Sequence, residues 1–113
     1  MAKRLRLMSD WGLYPFYVQQ SDGETFDLTD ADWVGDDLPL SAAAVSAVVT
    51  WDDELYQSVL NWDDPAATDF SHLERNGYYE RGREICRMLR AELPADVGIE
   101  FLDPADRRPN EYY

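Results

Sequence analysis

The hydrophobic period changes along this chain, and the order of the changes limits its fold more than any other feature. Lys3 to Met8 alternates with a period near two, Tyr14 to Gln19 is aromatic and β-branched, and Asp22-Gly23 is a hairpin signal before Thr25 to Leu28. The period then becomes helical. Ser41 is a suitable N-cap for a helix over 41–60, with Val45, Val48, Val49, Tyr56, Val59 and Leu60 on one stripe and Asp52 interrupting it. Ser71-His72-Leu73-Glu74 matches a capping box opening a second helix over 71–93, whose stripe is Leu73, Tyr78, Ile85, Leu89 and Leu93. Pro94 stops it, and Gly98 to Leu102 reads as a last strand.

The expected class is therefore α+β, in the order β-β-β-α-α-β, with a small antiparallel sheet and two helices packed on one face. Residues 1–102 are expected to form one domain and 103–113 a flexible tail. The expected core includes Leu7, Val45, Val49, Tyr56, Ile85, Leu89 and Phe101. On the second helix, Arg81, Arg83, Arg87 and Arg90 alternate with Glu80, Glu84 and Glu92, which predicts a salt-bridged solvent face.

Charge narrows the function. The formal net charge is −13, and no Lys or Arg lies between Arg6 and Arg75, an interval that holds fifteen Asp and Glu residues. Nucleic-acid binding by phosphate neutralisation and attachment to an anionic membrane both need a positive surface, so neither partner is expected. An acidic surface also serves solubility. The aromatic content, with four Trp, seven Tyr and four Phe, supplies a core that acidic disordered chains lack. No apolar run is long enough to span a bilayer and no secretory signal is legible, so the expected location is cytoplasmic.

Catalytic groups are few. His72 and Cys86 are fourteen residues apart, roughly 21 Å along a straight helix at 1.5 Å per residue, too far for a Cys–His pair. Glycine-rich phosphate loops and hydrolase or metalloprotease motifs are missing. The acidic pairs Asp36-Asp37, Asp52-Asp53 and Asp63-Asp64 keep open a small metal-dependent hydrolase. The loop beginning at Asp30 resembles a calcium loop, but Val34 falls at a ligand position and Ser41 replaces the closing Glu. No enzyme activity, cofactor or metal is expected.

What recurs is tryptophan beside aspartate: Asp10-Trp11, Asp32-Trp33, Trp51-Asp52-Asp53 and Trp62-Asp63-Asp64. Tryptophan supplies binding energy at protein interfaces, and carboxylates select a basic partner. The expected partner-binding residues are Asp10, Trp11, Asp32, Trp33, Asp36, Asp37, Trp62, Asp63 and Asp64.

Three segments carry a resemblance. They are Leu7-Met8-Ser9-Asp10-Trp11-Gly12-Leu13-Tyr14-Pro15-Phe16, then Leu38-Pro39-Leu40-Ser41, and Leu60-Asn61-Trp62-Asp63-Asp64-Pro65 through Phe70, followed by Gly82, Leu89 and Glu92-Leu93. Together, from about Leu5 to Phe101, the chain resembles a family of small acidic actinobacterial proteins. By analogy of size and charge it is similar to immunity partners of secreted toxins. The resemblance transfers no catalytic residue. Residues and resemblance together point to a non-catalytic protein-binding module, an immunity or inhibitor protein that neutralises a basic toxin or nuclease. A nucleic-acid mimic, of phage or accessory type, is the alternative.

Overall fold

A computed structural model describes residues 2–113. Its strands are β1 (Ala2–Leu7), β2 (Phe16–Gln20), β3 (Asp27–Thr29), β4 (Gly98–Phe101) and β5 (Glu111–Tyr112). Its helices are α1 (Val34–Asp37), α2 (Ala42–Leu55), α3 (Ser71–Arg75) and α4 (Tyr78–Glu92), with 3-10 turns at Gln57–Val59 and Pro65–Ala67. The expected α+β class is what the chain adopts.

The sheet order is β3-β2-β1-β4-β5. β1 pairs antiparallel with β2, β2 with β3 and β4 with β5, but β1 and β4 run parallel, so the sheet is mixed rather than antiparallel throughout. The reason is connectivity. The β1–β2 hairpin fills one edge of β1, and the chain returns to the other edge only after the helices, a crossover that suits parallel pairing.

Leu5, Leu7, Phe16, Val18, Ile99 and Phe101 are buried on the sheet. α4 seats on β4 at Gly82, where an added Cβ would lie 2.6 Å from the Phe101 ring and 3.0 Å from Trp51. Trp51 of α2 stacks on Tyr78 of α4 with ring centroids 4.6 Å apart, and its Nε1 donates to the Tyr78 carbonyl at 3.0 Å. Of the expected core, Leu7, Tyr56, Ile85, Leu89 and Phe101 are buried.

Val45 and Val49 are a correction. Both are only partly buried, and Ala44, Val48, Trp51 and Asp52 face inward instead. The large Trp51 indole takes the position against Tyr78 and Phe101, and this turns α2 by about one residue from the expected register.

Both expected helices are shorter than their periodicity implied. α2 ends at Leu55, and a 3-10 turn carries the chain on. Its N-cap is Ser41 as expected, with Oγ accepting from the Ala44 amide at 3.1 Å. Glu92, from the far end of α4, accepts from the Ser41 amide and hydroxyl at 2.9 and 3.1 Å. The second helix breaks at Asn76-Gly77. Gly77 has φ +79, and the Asn76 side chain accepts from the Tyr78 amide at 3.1 Å, starting α4 afresh. Ser71 is not an N-cap; Asp69 instead accepts from its amide at 3.1 Å.

Of the expected salt-bridged face of α4, Arg81 pairs with Glu84 at 2.9 Å, while other charged residues of the helix fasten neighbouring elements. Arg83 forks onto Glu111 of β5 at 2.8–3.1 Å. Arg90 donates to the carbonyls of Val97 and Tyr113 at 2.8 and 3.2 Å. Residues 103–113, read from sequence as a tail, carry β5, and the Tyr113 amide donates to the Ile99 carbonyl at 2.9 Å.

Candidate functional site

Two of the expected Trp–Asp segments meet, although about fifty residues separate them. The turn after β1 is closed by the Leu13 amide donating to the Asp10 carbonyl at 3.1 Å. The Asp10 carboxylate accepts from the Trp11 amide at 2.8 Å and the Tyr17 hydroxyl at 2.9 Å, so Asp10 shapes the turn. Gln57, just past α2, holds the turn from the other side. Its amide nitrogen donates to the Asp10 carbonyl at 3.0 Å, and its oxygen accepts from the Gly12 amide at 3.2 Å.

Trp62 arrives on the loop after α2. Asn61 accepts from the amides of Asp63 and Asp64 at 3.2 and 3.1 Å, an Asx turn that leaves both carboxylates exposed. The Trp11 and Trp62 rings are 5.4 Å apart between centroids, tilted by 34°, and remain 44% and 53% exposed. Two large aromatic rings in contact yet half open to water form an interface-grade patch.

Between this patch and α2 lies a groove of about 390 Å³ lined by Gly12, Leu13, Tyr14, Val49, Asp52, Asp53, Gln57 and Trp62. Val49, with Val45, also lines a second depression of about 470 Å³ that reaches Asp32, Gly35 and Leu40. The outward face of α2 thus joins the two hollows, and the rotation of that helix leaves both valines half open.

The floor of the first groove holds Asp52, 3% exposed. Its Oδ2 accepts from Gln57 at 3.1 Å, while Oδ1 has no hydrogen-bond partner, although the Ser9 hydroxyl lies close by. Burial pushes its carboxyl up to about 6; Ser9 and Gln57 oppose the shift, and Asp53 and Asp10 add to it. Tyr56, raised to about 12 mainly by burial, stays protonated beside it, and Tyr17, raised likewise, stays protonated on Asp10.

The other expected site residues stand apart from the Trp11–Trp62 pair. Trp33 is 63% exposed beside α1, and Asp32 borders only the second depression. Asp36 is exposed, whereas Asp37 accepts from Gln20 at 2.9 Å and ties α1 to the end of β2. Sequence reasoning missed Gln57, Leu13, Tyr14 and Val49. Its one available signal was Asp52, a carboxylate within an apolar helical stripe.

Groups suited to chemistry are not assembled here. His72 is exposed, 3.3 Å from Arg75, and Cys86 is fully buried with its thiol pushed up to about 12 by burial. Among the described residues no three His, Cys, Asp or Glu side chains group to hold a metal. No described helix is long and apolar enough to cross a membrane.

No curated protein matches the chain. A family model described as Serratia CdiI immunity protein-like matches residues 3–104, nearly the whole length, and includes both the turn at Asp10–Leu13 and the loop at Asn61–Asp64. The chain belongs to the Serratia CdiI immunity protein-like family.

Proposed function

We propose that this chain is a non-catalytic, cytoplasmic immunity protein that neutralises a basic toxin by covering it with the acidic surface around Trp11 and Trp62. The observation that carries the reading is the Trp11–Trp62 contact, half exposed and bordered by Asp53, Asp63 and Asp64. Among the described residues none of these three carboxylates has an ion-pair partner. Aromatic anchors ringed by unpaired charge give affinity at the centre and charge selection at the rim. Family membership supports binding of a toxin as the role.

Against a nucleic-acid mimic stands the fate of the paired acids. Asp52 is buried and Asp37 is bonded to Gln20, so of the three pairs only Asp63-Asp64 offers two free carboxylates in a row.

The test uses a toxin recovered by pull-down with this chain and follows association against salt. Steering by unpaired carboxylates makes the association rate fall as salt rises, because screening acts within about 8–10 Å at ordinary ionic strength. Reversing Asp63 and Asp64 to Lys slows association, whereas Trp62→Ala speeds dissociation by about tenfold or more, the loss of one interface anchor. A salt-independent association rate, or an acidic toxin, overturns the reading.

A further inference from the structure

Asp52 is an expensive residue to keep where it is. A carboxylate at 3% exposure with one oxygen unpartnered works against folding, and an apolar residue or an asparagine would fill α2 more cheaply. Glu100, the other buried acid, has two arginines; Asp52 has no cation near it among the described residues. The space above it is also specific. Trp62 forms an aromatic wall, Leu13 and Val49 offer apolar surface, and Asp53 adds a second carboxylate at the rim.

We propose that this groove is a receptor for one arginine side chain of the partner, with the guanidinium seated between Asp52 and the Trp62 ring. The inference rests on the proposed toxin-binding surface and names what its centre recognises. Each feature matches a part of that side chain. The aliphatic stem lies along Leu13 and Val49. The planar cation stacks on Trp62, which a lysine ammonium does less well. The Asp52 carboxylate supplies the charge-assisted acceptor, with Asp53 beside it at the rim. Gln57 binds both Asp52 and the turn that carries Trp11, so the carboxylate and the aromatic patch are held in one frame.

The probe is N-acetyl-arginine amide, titrated into the purified chain and followed by tryptophan fluorescence. N-acetyl-lysine amide and the uncharged isostere N-acetyl-citrulline amide are titrated in parallel. The expected result is saturable binding that prefers arginine, is absent for citrulline, and weakens about tenfold in Asp52→Asn. The wild-type chain provides a second reading that needs no variant. Binding favours the ionised carboxylate, so affinity is full above about pH 6 and declines as pH falls through it. The groups facing Asp52 are the carboxylates of Asp10 and Asp53 and the phenols of Tyr56 and Tyr78; burial keeps these phenols protonated throughout. No saturable response, an equal response to citrulline, or binding unchanged in Asp52→Asn overturns the proposal. Toxin binding separates this failure from failure of the surface itself. If Trp62→Ala weakens the toxin complex and Asp52→Asn leaves it intact, the surface stands and the arginine receptor falls.

Discussion

The molecule buries two carboxylates and treats them in opposite ways. Glu100, 6% exposed on β4, is held by Arg4 at 3.2 Å and Arg6 at 3.1 Å from the neighbouring parallel strand. Asp52, 3% exposed on α2, has Gln57 and the nearby Ser9 hydroxyl but no cation. The contrast extends to their surroundings. Around β4 and α4 the charges are used internally, by Arg83 on Glu111, Arg90 on the carbonyls that follow α4, and Glu92 on Ser41. Around α2 and its two flanking loops the acids are left without cations, except Asp69, which pairs with Arg75 at 3.1 Å, and Trp11, Trp33 and Trp62 stand open. One side of the chain is self-sufficient. The other is left open, as the proposed surface for a charged partner requires.

The contrast breaks first if the self-sufficient side is not the one that holds the fold. Leu89, fully buried on α4, should cost about 2–5 kcal/mol on replacement by Ala, measured by urea unfolding. Val49→Ala, on the half-open face of α2, should cost about 1 kcal/mol from its lost methyl groups. Equal losses would mean that the two helices share the core evenly.

A second, smaller effect follows from Asp52 itself. Its folded-state value of about 6 lies above the ordinary 3.8, so the native state holds the proton more tightly than the unfolded chain does. That contribution is fully present below about pH 4 and is lost as pH rises through about 6, a loss on the order of 2–3 kcal/mol. Asp52→Asn should therefore gain stability relative to wild type between about pH 4 and pH 7. Glu111 and Asp69, held below the usual range by hydrogen bonds with Arg83 and with Ser71 and Arg75, pull the other way, but equally in both proteins. A difference that stays flat with pH would show that Asp52 is not strained.

A modest effect belongs to the paired acid. Glu100→Gln keeps the side-chain shape but leaves Arg4 and Arg6 facing a neutral amide. Their side chains are 53% and 27% exposed and can rehydrate, so the loss should be about 1–2 kcal/mol rather than that of a fully buried pair. A gain in stability on this substitution would erase the distinction between the two acids.

Much of this was legible in the order of residues. The strands near Lys3–Met8 and Gly98–Leu102 and the Ser41 cap rest on local signals, and they stand where those signals lie. The rotation of α2 was not legible, because it follows from the contact of Trp51 with Tyr78 and Phe101, residues far along the chain. The break at Asn76-Gly77 had a visible turn dipeptide, overridden by the helical stripe on both sides. The parallel pairing of β1 with β4 depends on which edge of β1 the hairpin leaves free, a global property. For the site, Trp11 and Trp62 each drew notice beside their aspartates, yet nothing local says that they touch. Gln57 and the loop at Asn61 bring them together, and neither residue advertises that role.

The central claim is that Trp11 and Trp62 become covered when the toxin binds. Solvent exchange of the indole N–H groups, observed by NMR in the free chain and in the complex, tests this directly. Trp51, whose Nε1 already donates to Tyr78 inside the core, is the internal standard. The account predicts that exchange at Trp11 and Trp62 slows on complex formation while Trp51 is unchanged. A stable complex in which both indoles exchange as freely as before would contradict it.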